Sequence, residues 1–338
     1  MDKGGVVGAV FLDLKKAFNT VNHRILMSKL SGFNFCSDTL KWIESYLLNR
    51  SQSVQVQNHQ SAALRLSTGV PQGSILGPLL FTLYINDFPS VCPDTNTQMY
   101  ADDTVIYVHG GSMTQVANEL TNSMAHVTAR LKQCCLQLNV SKTVCMFFTK
   151  TNSSSVEPDV FVSGERLQVV SEYKYLVVLI DSKLSFKAQV KKVCNRVKFN
   201  LSNFRFIRDY MSTEMYMHSM VISHIIYCLT TWSQASNTTL KPIESLYKRT
   251  LKILDKKPVH FHHCPIFKKY NLLSWENMIK DVDVCLMYKI IYGLISPPLR
   301  QFVNIRTTAY GFTGGAARGD CIIPLRKSTF SQSLLKLH

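Results

Sequence analysis

The chain has 338 residues, 46% of them hydrophobic, which is enough for one sizeable core with an appended module. No run approaches the roughly 18 to 20 apolar residues of a membrane span, and no basic-then-apolar leader opens the sequence, so neither a membrane anchor nor a secreted protein is expected. The net charge of +16 is unevenly placed: residues 1–181 carry fourteen Lys/Arg and fourteen Asp/Glu, so the whole excess lies in residues 182–338. A neutral half joined to a strongly basic half suits a protein that holds a polyanion.

Ten cysteines lack any Cys-x-x-Cys pair, which argues against a zinc ribbon or a disulfide framework. Free thiols in a reducing cytosol or nucleus are the simpler account. His260, His262, His263 and Cys264 form the only metal-like cluster, and its spacing fits no common zinc pattern.

In chain order, Val6, Val7, Ala9, Val10, Phe11 and Leu12 form a nearly continuous apolar run, the mark of a strand buried on both faces. The run ends at Asp13. That carboxylate is either a ligand at the end of a buried strand or the cap of the next helix, and the segment alone leaves both open. Val21, Ile25, Leu26 and Leu30 predict a helix around 20–31, and a second is predicted over 38–48, opened by Ser37 or Asp38. A hairpin is expected across 53–68, with Asn58-His59-Gln60 near its turn. Gly69-Val70-Pro71-Gln72-Gly73-Ser74-Ile75-Leu76-Gly77-Pro78 then feeds an apolar helix, with Pro78 tolerable in its first turn. Such a turn lets a ligand approach the backbone, and Gln72 can offer an amide to a base or a phosphate; alone, the stretch reads first as an ordinary connector.

Tyr100-Ala101-Asp102-Asp103 follows, between Met99 and the run Val105-Ile106-Tyr107-Val108. Two adjacent carboxylates make poor packing, because an ionised Asp pushed toward a core is costly without a partner. At the tip of a hairpin over 98–108 they would form a dense set of oxygen donors suited to Mg²⁺. A helix over 114–137 carries Val116, Leu120, Val127 and Leu131 on one side, and a strand is expected at 144–149. The polar loop Thr151-Asn152-Ser153-Ser154-Ser155 precedes more strands over 159–180, and residues 188–300 read as mostly helical. There Val190, Val193, Val197, Leu201 and Phe204 form a stripe, with Lys191, Lys192, Arg196, Lys198 and Arg205 largely off it. One face can pack while the other tracks a phosphate backbone, although a merely solvated basic face would look the same. The tail after Pro297-Pro298 contains Gly311, Gly314, Gly315 and Gly319 and has little periodicity.

Read together, the strand ending in Asp13-Leu14-Lys15-Lys16-Ala17-Phe18, the Gly69–Pro78 turn and Tyr100-Ala101-Asp102-Asp103 resemble the palm of a reverse transcriptase. The likeness is strongest to the enzyme of a non-LTR (LINE-type) retrotransposon. Leu138-Asn139-Val140-Ser141-Lys142-Thr143 resembles the family's next motif, and Tyr173-Lys174-Tyr175-Leu176-Val177-Val178-Leu179-Ile180-Asp181 resembles the segment that grips the primer end. The resemblance implies an α+β fold: a palm, its antiparallel sheet backed by helices, over residues 1–187. A basic, mostly helical thumb-like module would follow over 188–338.

It also implies an activity, RNA-directed DNA polymerisation, in which deoxynucleoside triphosphates are added to a DNA primer 3′-hydroxyl on an RNA template. Two Mg²⁺ ions roughly 3.5–4 Å apart, with Mn²⁺ as a possible substitute, would assist the phosphoryl transfer. Asp13 and Asp102 would bridge the ions, Asp103 would add a weaker ligand and the Leu14 carbonyl could complete one sphere. Ala17, Phe18, Gln72, Gly73 and Lys142 fall at nucleotide-binding positions. Phe18 lies where the family sets an aromatic ring beneath the incoming sugar, and Lys142 where a proton donor or charge partner for pyrophosphate would stand. Without the resemblance, Phe18 would read as a core residue and Lys142 as a solvated lysine. Tyr175, Leu176 and Val177 would grip the primer, and the basic face from Lys191 to Arg205 would hold nucleic acid.

The sequence departs from the family pattern in places. Twelve residues precede Asp13, without room for the fingers region expected there, and no endonuclease segment is present. Asn19 and Asn22 stand where relatives usually have Asp, and Val177 replaces the usual Gly of the primer grip. A truncated, catalytically silent remnant that only binds RNA or DNA is therefore the alternative expectation.

Overall fold

The computed structural model describes residues 5–93, 95–149, 158–207 and 210–295, together with an antiparallel pair formed by Asn304–Ile305 and Cys321–Ile322. The expected polar loop at 151–155, the glycines of the tail and the side chain of Arg205 lie outside the described residues. The chain divides into two compact units, one up to Leu176 and one from Val177 onward, upstream of the 187/188 boundary expected from the sequence.

In the first unit, β1 (Val6–Leu12) is followed by α1 (His23–Gly32) and α2 (Ser37–Leu47). Asn22 caps α1, its side-chain oxygen accepting from the N–H groups of Arg24 and Ile25. The capping role left open for Asp13 therefore belongs to Asn22. Cys36, not Ser37 or Asp38, is the residue that precedes α2; its Sγ lies 3.0 Å from the Thr39 hydroxyl. Two short ladders occupy 51–65, with the turn at Gln57-Asn58. α3 (Leu76–Ile85) places Pro78 in its first turn, and the helix start is held by Ser74, whose hydroxyl accepts from the Gly77 N–H.

β2 (Asn96–Tyr100), β3 (Asp103–Gly110), α4 (Met113–Gln133), β4 (Val144–Phe148), β5 (Gln168–Val169) and β6 (Glu172–Tyr175) complete the unit. Five of these strands form one sheet in the order β5-β4-β1-β3-β2, antiparallel except for β5 against β4. Period-two alternation sorts its two faces. Val10 and Leu12 of β1, Ile106 and Val108 of β3, and Cys145 and Phe147 of β4 join Val116, Leu120, Val127 and Leu131 of α4 in a core that also takes in α1 and α3. α4 lies so close to β1 that a Cβ at Gly8 would come within 2.5 Å of the Val116 Cγ1 atom. On the opposite face Phe11 is buried beneath Tyr173 and Tyr175, with ring centroids 4.3 and 5.5 Å away. β1 is thus covered on both faces, as its unbroken apolar run requires.

An ionic network fastens the helical layer. Lys29 of α1 donates to the Tyr84 carbonyl at 2.5 Å and to Asp87 at 2.6 Å, and Arg130 of α4 pairs with the other oxygen of Asp87. Burial alone would raise the Asp87 pKa, but the two cations outweigh it and hold the carboxyl below its ordinary value.

The second unit opens with β7 (Val178–Asp181) and α5 (Lys187–Ile207). Asp181 shapes the turn between them: its carboxylate accepts from the N–H groups of Lys183, Ser185 and Phe186. α6 (Asn237–Leu254) and α7 (Trp275–Ile291) build a separate core with α5 around Trp232, Tyr247 and Trp275. Leu176 and Val177, at the junction of the units, both have left-handed backbone, φ 43° and 70°. That conformation costs an L-residue about 1–2 kcal/mol, and a β-branched one is an outlier there. The glycine-to-valine departure at 177 is therefore a real strain.

Two outcomes follow for stability. Val177→Gly removes the strain and returns part of it as unfolded-chain entropy, so urea denaturation should show a gain of about 1 kcal/mol. Asp87→Asn should cost about 1 kcal/mol at pH 7, a modest figure because 41% of the side chain is exposed and screened. Since the folded pKa is depressed, the wild-type advantage is complete above the ordinary value of 3.8 and disappears as pH falls through the lowered one. Denaturation curves of the two proteins should converge in acid.

Candidate active site

Backbone pairing brings the acidic residues together. β1 and β3 run antiparallel with Leu12 opposite Thr104, and one further step along the same register sets Asp13 alongside Asp103. Both residues follow the alternation of Phe11 and Val105, so they belong to the face that carries Tyr173 and Tyr175 rather than the helical face. β2 returns through Ala101 and Asp102, with Ala101 left-handed at φ 52°, which leaves Asp102 in the turn next to Asp103. Cross-strand neighbours in such a pair lie about 4.5–5.5 Å apart, close enough for their charges to interact strongly. Partial desolvation, followed by the negative charges of Asp102 and Asp13, holds the Asp103 carboxyl above its ordinary range. Burial raises the Tyr173 and Tyr175 phenols, helped by the negative charge of Asp103 on both and by that of Asp13 on Tyr173.

Asp13 is held from the opposite edge by the segment 137–143. Asn139 donates its side-chain N–H to Asp13 Oδ2 at 2.8 Å, and its backbone N–H to the Asp13 carbonyl at 2.8 Å. The Asp13 N–H in turn donates to the Thr143 hydroxyl. Leu14 faces Leu138 in a bridge flanked by Lys15 N–H to Gln137 carbonyl and Asn139 N–H to Asp13 carbonyl. In that arrangement the Leu14 carbonyl points to the other edge of the strand, the side on which β3 lies. Asn139, which lies in the motif 138–143 and has no role assigned from sequence, is thus a direct partner of Asp13. The signal was its place in that motif; its partner, 126 residues away, was not visible.

The turn after Leu14 and the Gly69–Pro78 loop lock together. Lys16 is left-handed at φ 48° and starts a tight turn over Ala17–Asn19. Ala17 is buried in the core beneath this turn. Phe18 is half-buried, stacked on Phe81 of α3 at 4.6 Å, and its carbonyl accepts from Val70 N–H at 2.8 Å. Phe18 thus packs on the core while remaining partly accessible. Gly69, at φ 91°, could not carry a side chain, since a Cβ would stand 2.8 Å from the Asn19 carbonyl oxygen. Gly73, at φ 77°, has open space around it. The Gln72 amide donates to Asn19 Oδ1 at 3.0 Å. A cavity of about 410 Å³ opens at this junction, lined in part by Asn19, His23, Arg50 and Gln72. A larger one of about 720 Å³ lies along α4 and shares no residue with the acidic site.

The remaining expected site residues fall elsewhere. Lys142 is exposed, in the turn after Asn139. Lys191, Arg196 and Lys198 are exposed on α5, and the Arg196 guanidinium lies 5.7 Å from the exposed Phe199 ring. Lys192 differs: it is half-buried and its ammonium donates to the Val177 carbonyl, so its charge is engaged in holding the strained turn. His262, His263 and Cys264 bring their ligand atoms within 4.8 Å of one another. The two imidazoles stack with their planes 24° apart. Among the described residues no helix is long and apolar enough to cross a membrane.

Comparison with known proteins agrees with this layout. The family described as reverse transcriptase (RNA-dependent DNA polymerase) matches residues 1–180. A probable RNA-directed DNA polymerase from transposon BS of Drosophila melanogaster is 28% identical over 80% of this chain and 31% of its own length. The RNA-directed DNA polymerase from mobile element jockey of the same species is 26% identical over 76% of this chain and 29% of its own. That from its X-element is 24% identical over 73% and 28%. The chain thus spans under a third of the length of these relatives. With its α+β fold and acidic hairpin, the chain belongs to the reverse transcriptase family.

Proposed function

We propose that this chain carries the catalytic core of an RNA-directed DNA polymerase, which extends a DNA primer on an RNA template with deoxynucleoside triphosphates. The observation that carries the reading is the register of β1 against β3, which sets Asp13 beside Asp103 with Asp102 in the adjoining turn.

The donor set suits Mg²⁺ or Mn²⁺: three carboxylates and the Leu14 carbonyl are all oxygen donors, and burial together with the charges of Asp102 and Asp13 raises the Asp103 pKa. Asp13, Asp102, Asp103 and Leu14 would hold two such ions, which when bound stabilise the attacking and leaving oxygens of phosphoryl transfer. Asn139 fixes the Asp13 carboxylate in one orientation. Phe18, braced by Phe81, is rigid enough to screen the incoming sugar against a 2′-hydroxyl. Gln72 and Gly73 would offer an amide and an approachable backbone to the nucleotide, and Lys142, which is exposed, would meet the departing pyrophosphate. Tyr175, Leu176 and Val177 would meet the primer end. Lys191, Arg196 and Lys198 would hold the nucleic-acid backbone, with Phe199 as an exposed ring able to stack on a base. With free thiols and no membrane-spanning helix among the described residues, the work would take place in the nucleus or cytosol.

Primer extension by the purified chain with Mg²⁺ is the test. Incorporation of deoxynucleotides should be template-dependent and should fall about a thousandfold in Asp102→Asn. Binding of primer–template without extension, unchanged in Asp102→Asn, would overturn the reading in favour of a silent remnant. Asn139→Ala should leave the circular dichroism spectrum intact yet weaken Mn²⁺ binding by about tenfold in a calorimetric titration, as loss of a ligand-orienting partner does.

A further inference from the structure

Gln72 and Asn19 meet side chain to side chain, at the point where the turn bearing Phe18 touches the Gly69–Pro78 loop. The two segments are joined at five places. Four of them involve backbone: Val70 N–H to Phe18 carbonyl, Gly69 N–H to Val21 carbonyl, the Thr68 hydroxyl to the Asn19 carbonyl, and the His23 ring to the Gly69 carbonyl at 2.7 Å. The fifth, Gln72 Nε2 to Asn19 Oδ1 at 3.0 Å, links two side chains. The loop backbone is therefore pinned independently of Asn19's carboxamide.

We propose that Asn19 is a positioning residue: its carboxamide oxygen fixes the Gln72 amide at one orientation relative to the Phe18 ring, so that ring and amide form one rigid nucleotide-selecting surface. This inference rests on the polymerase reading. Gln72 is exposed on its loop, and without a partner its three side-chain torsions would be free. Freezing them when nucleotide binds would then oppose binding. With one amide N–H committed to Asn19, the carbonyl oxygen and the second N–H are presented outward in a fixed direction. The immobile end of the device is Asn19, whose backbone lies against Gly69 closely enough to exclude a Cβ and whose N–H closes the tight turn onto the Lys16 carbonyl at 2.8 Å.

The experiment is steady-state single-nucleotide insertion by the full chain on an RNA template with a DNA primer, run as a double-mutant cycle. Asn19→Ala should raise the KM for the incoming deoxynucleotide about fivefold, the scale of one ordinary hydrogen bond, with kcat within about twofold. Asn19→Asp keeps an acceptor oxygen and should restore KM. Gln72→Ala should raise KM at least as much, and adding Asn19→Ala to it should change nothing further. Should Asn19→Ala unfold, Asn19→Leu, nearly isosteric and unable to accept, takes its place in the cycle. Parental extension with KM unmoved by Asn19→Ala, or an effect that persists in full on the Gln72→Ala background, overturns this inference alone. A parent that extends nothing overturns the polymerase reading and the inference with it.

Discussion

Strand pairing here does the work that sequence proximity cannot. Asp13 ends a buried strand and Asp103 begins another, and the antiparallel ladder from Val6 opposite Gly110 to Leu12 opposite Thr104 allows them one relation, side by side on the face away from α4. A one-residue slip would send every side chain of β1 to the wrong face, moving Val10 and Leu12 out of the core and turning Asp13 toward the helices. The hydrophobic core therefore enforces the convergence of the carboxylates. Burial, and after it the charges of Asp102 and Asp13, raise the Asp103 pKa, a cost that the packing of the strands offsets.

Around that constraint the neighbouring segments supply rigidity. The segment 137–143 grips Asp13 at its carboxylate, its carbonyl and its N–H. The aromatic pair Tyr173 and Tyr175 covers Phe11 on the acidic face. The tight turn at Ala17–Asn19 and the glycine-containing loop interlock through backbone bonds, with Phe18 anchored on Phe81. A site held this way would change little when its occupant arrives, as the proposed selection among nucleotides requires.

Much of this was legible in the residues. The unbroken run from Val6 to Leu12 announced a strand covered twice, and the stripe Val116, Leu120, Val127 and Leu131 a helix packed on one side. The paired aspartates and the glycine-rich turn carried the family resemblance. Other features were hidden because they depend on partners distant in sequence. Asp13 could have been a cap until Asn22 was seen to fill that role. Asn139 stands within a motif that resembles the family's, but its role is hidden because its partner Asp13 lies far upstream. Lys192 belongs to a basic series in sequence, yet the fold engages it with the Val177 carbonyl. Helix openings also misled: Ser37 and Asp38 are good capping types, but the helix begins one residue earlier than their chemistry suggests.

The central claim is that Asp13, Asp102 and Asp103 form one cation pocket by virtue of register. Anomalous diffraction from a crystal of this chain soaked in Mn²⁺ addresses it most directly. The account predicts anomalous density bounded by the Asp13 and Asp102 carboxylates, with Asp103 alongside. Density elsewhere only, with the Asp13 carboxylate turned from Asp102, would contradict it.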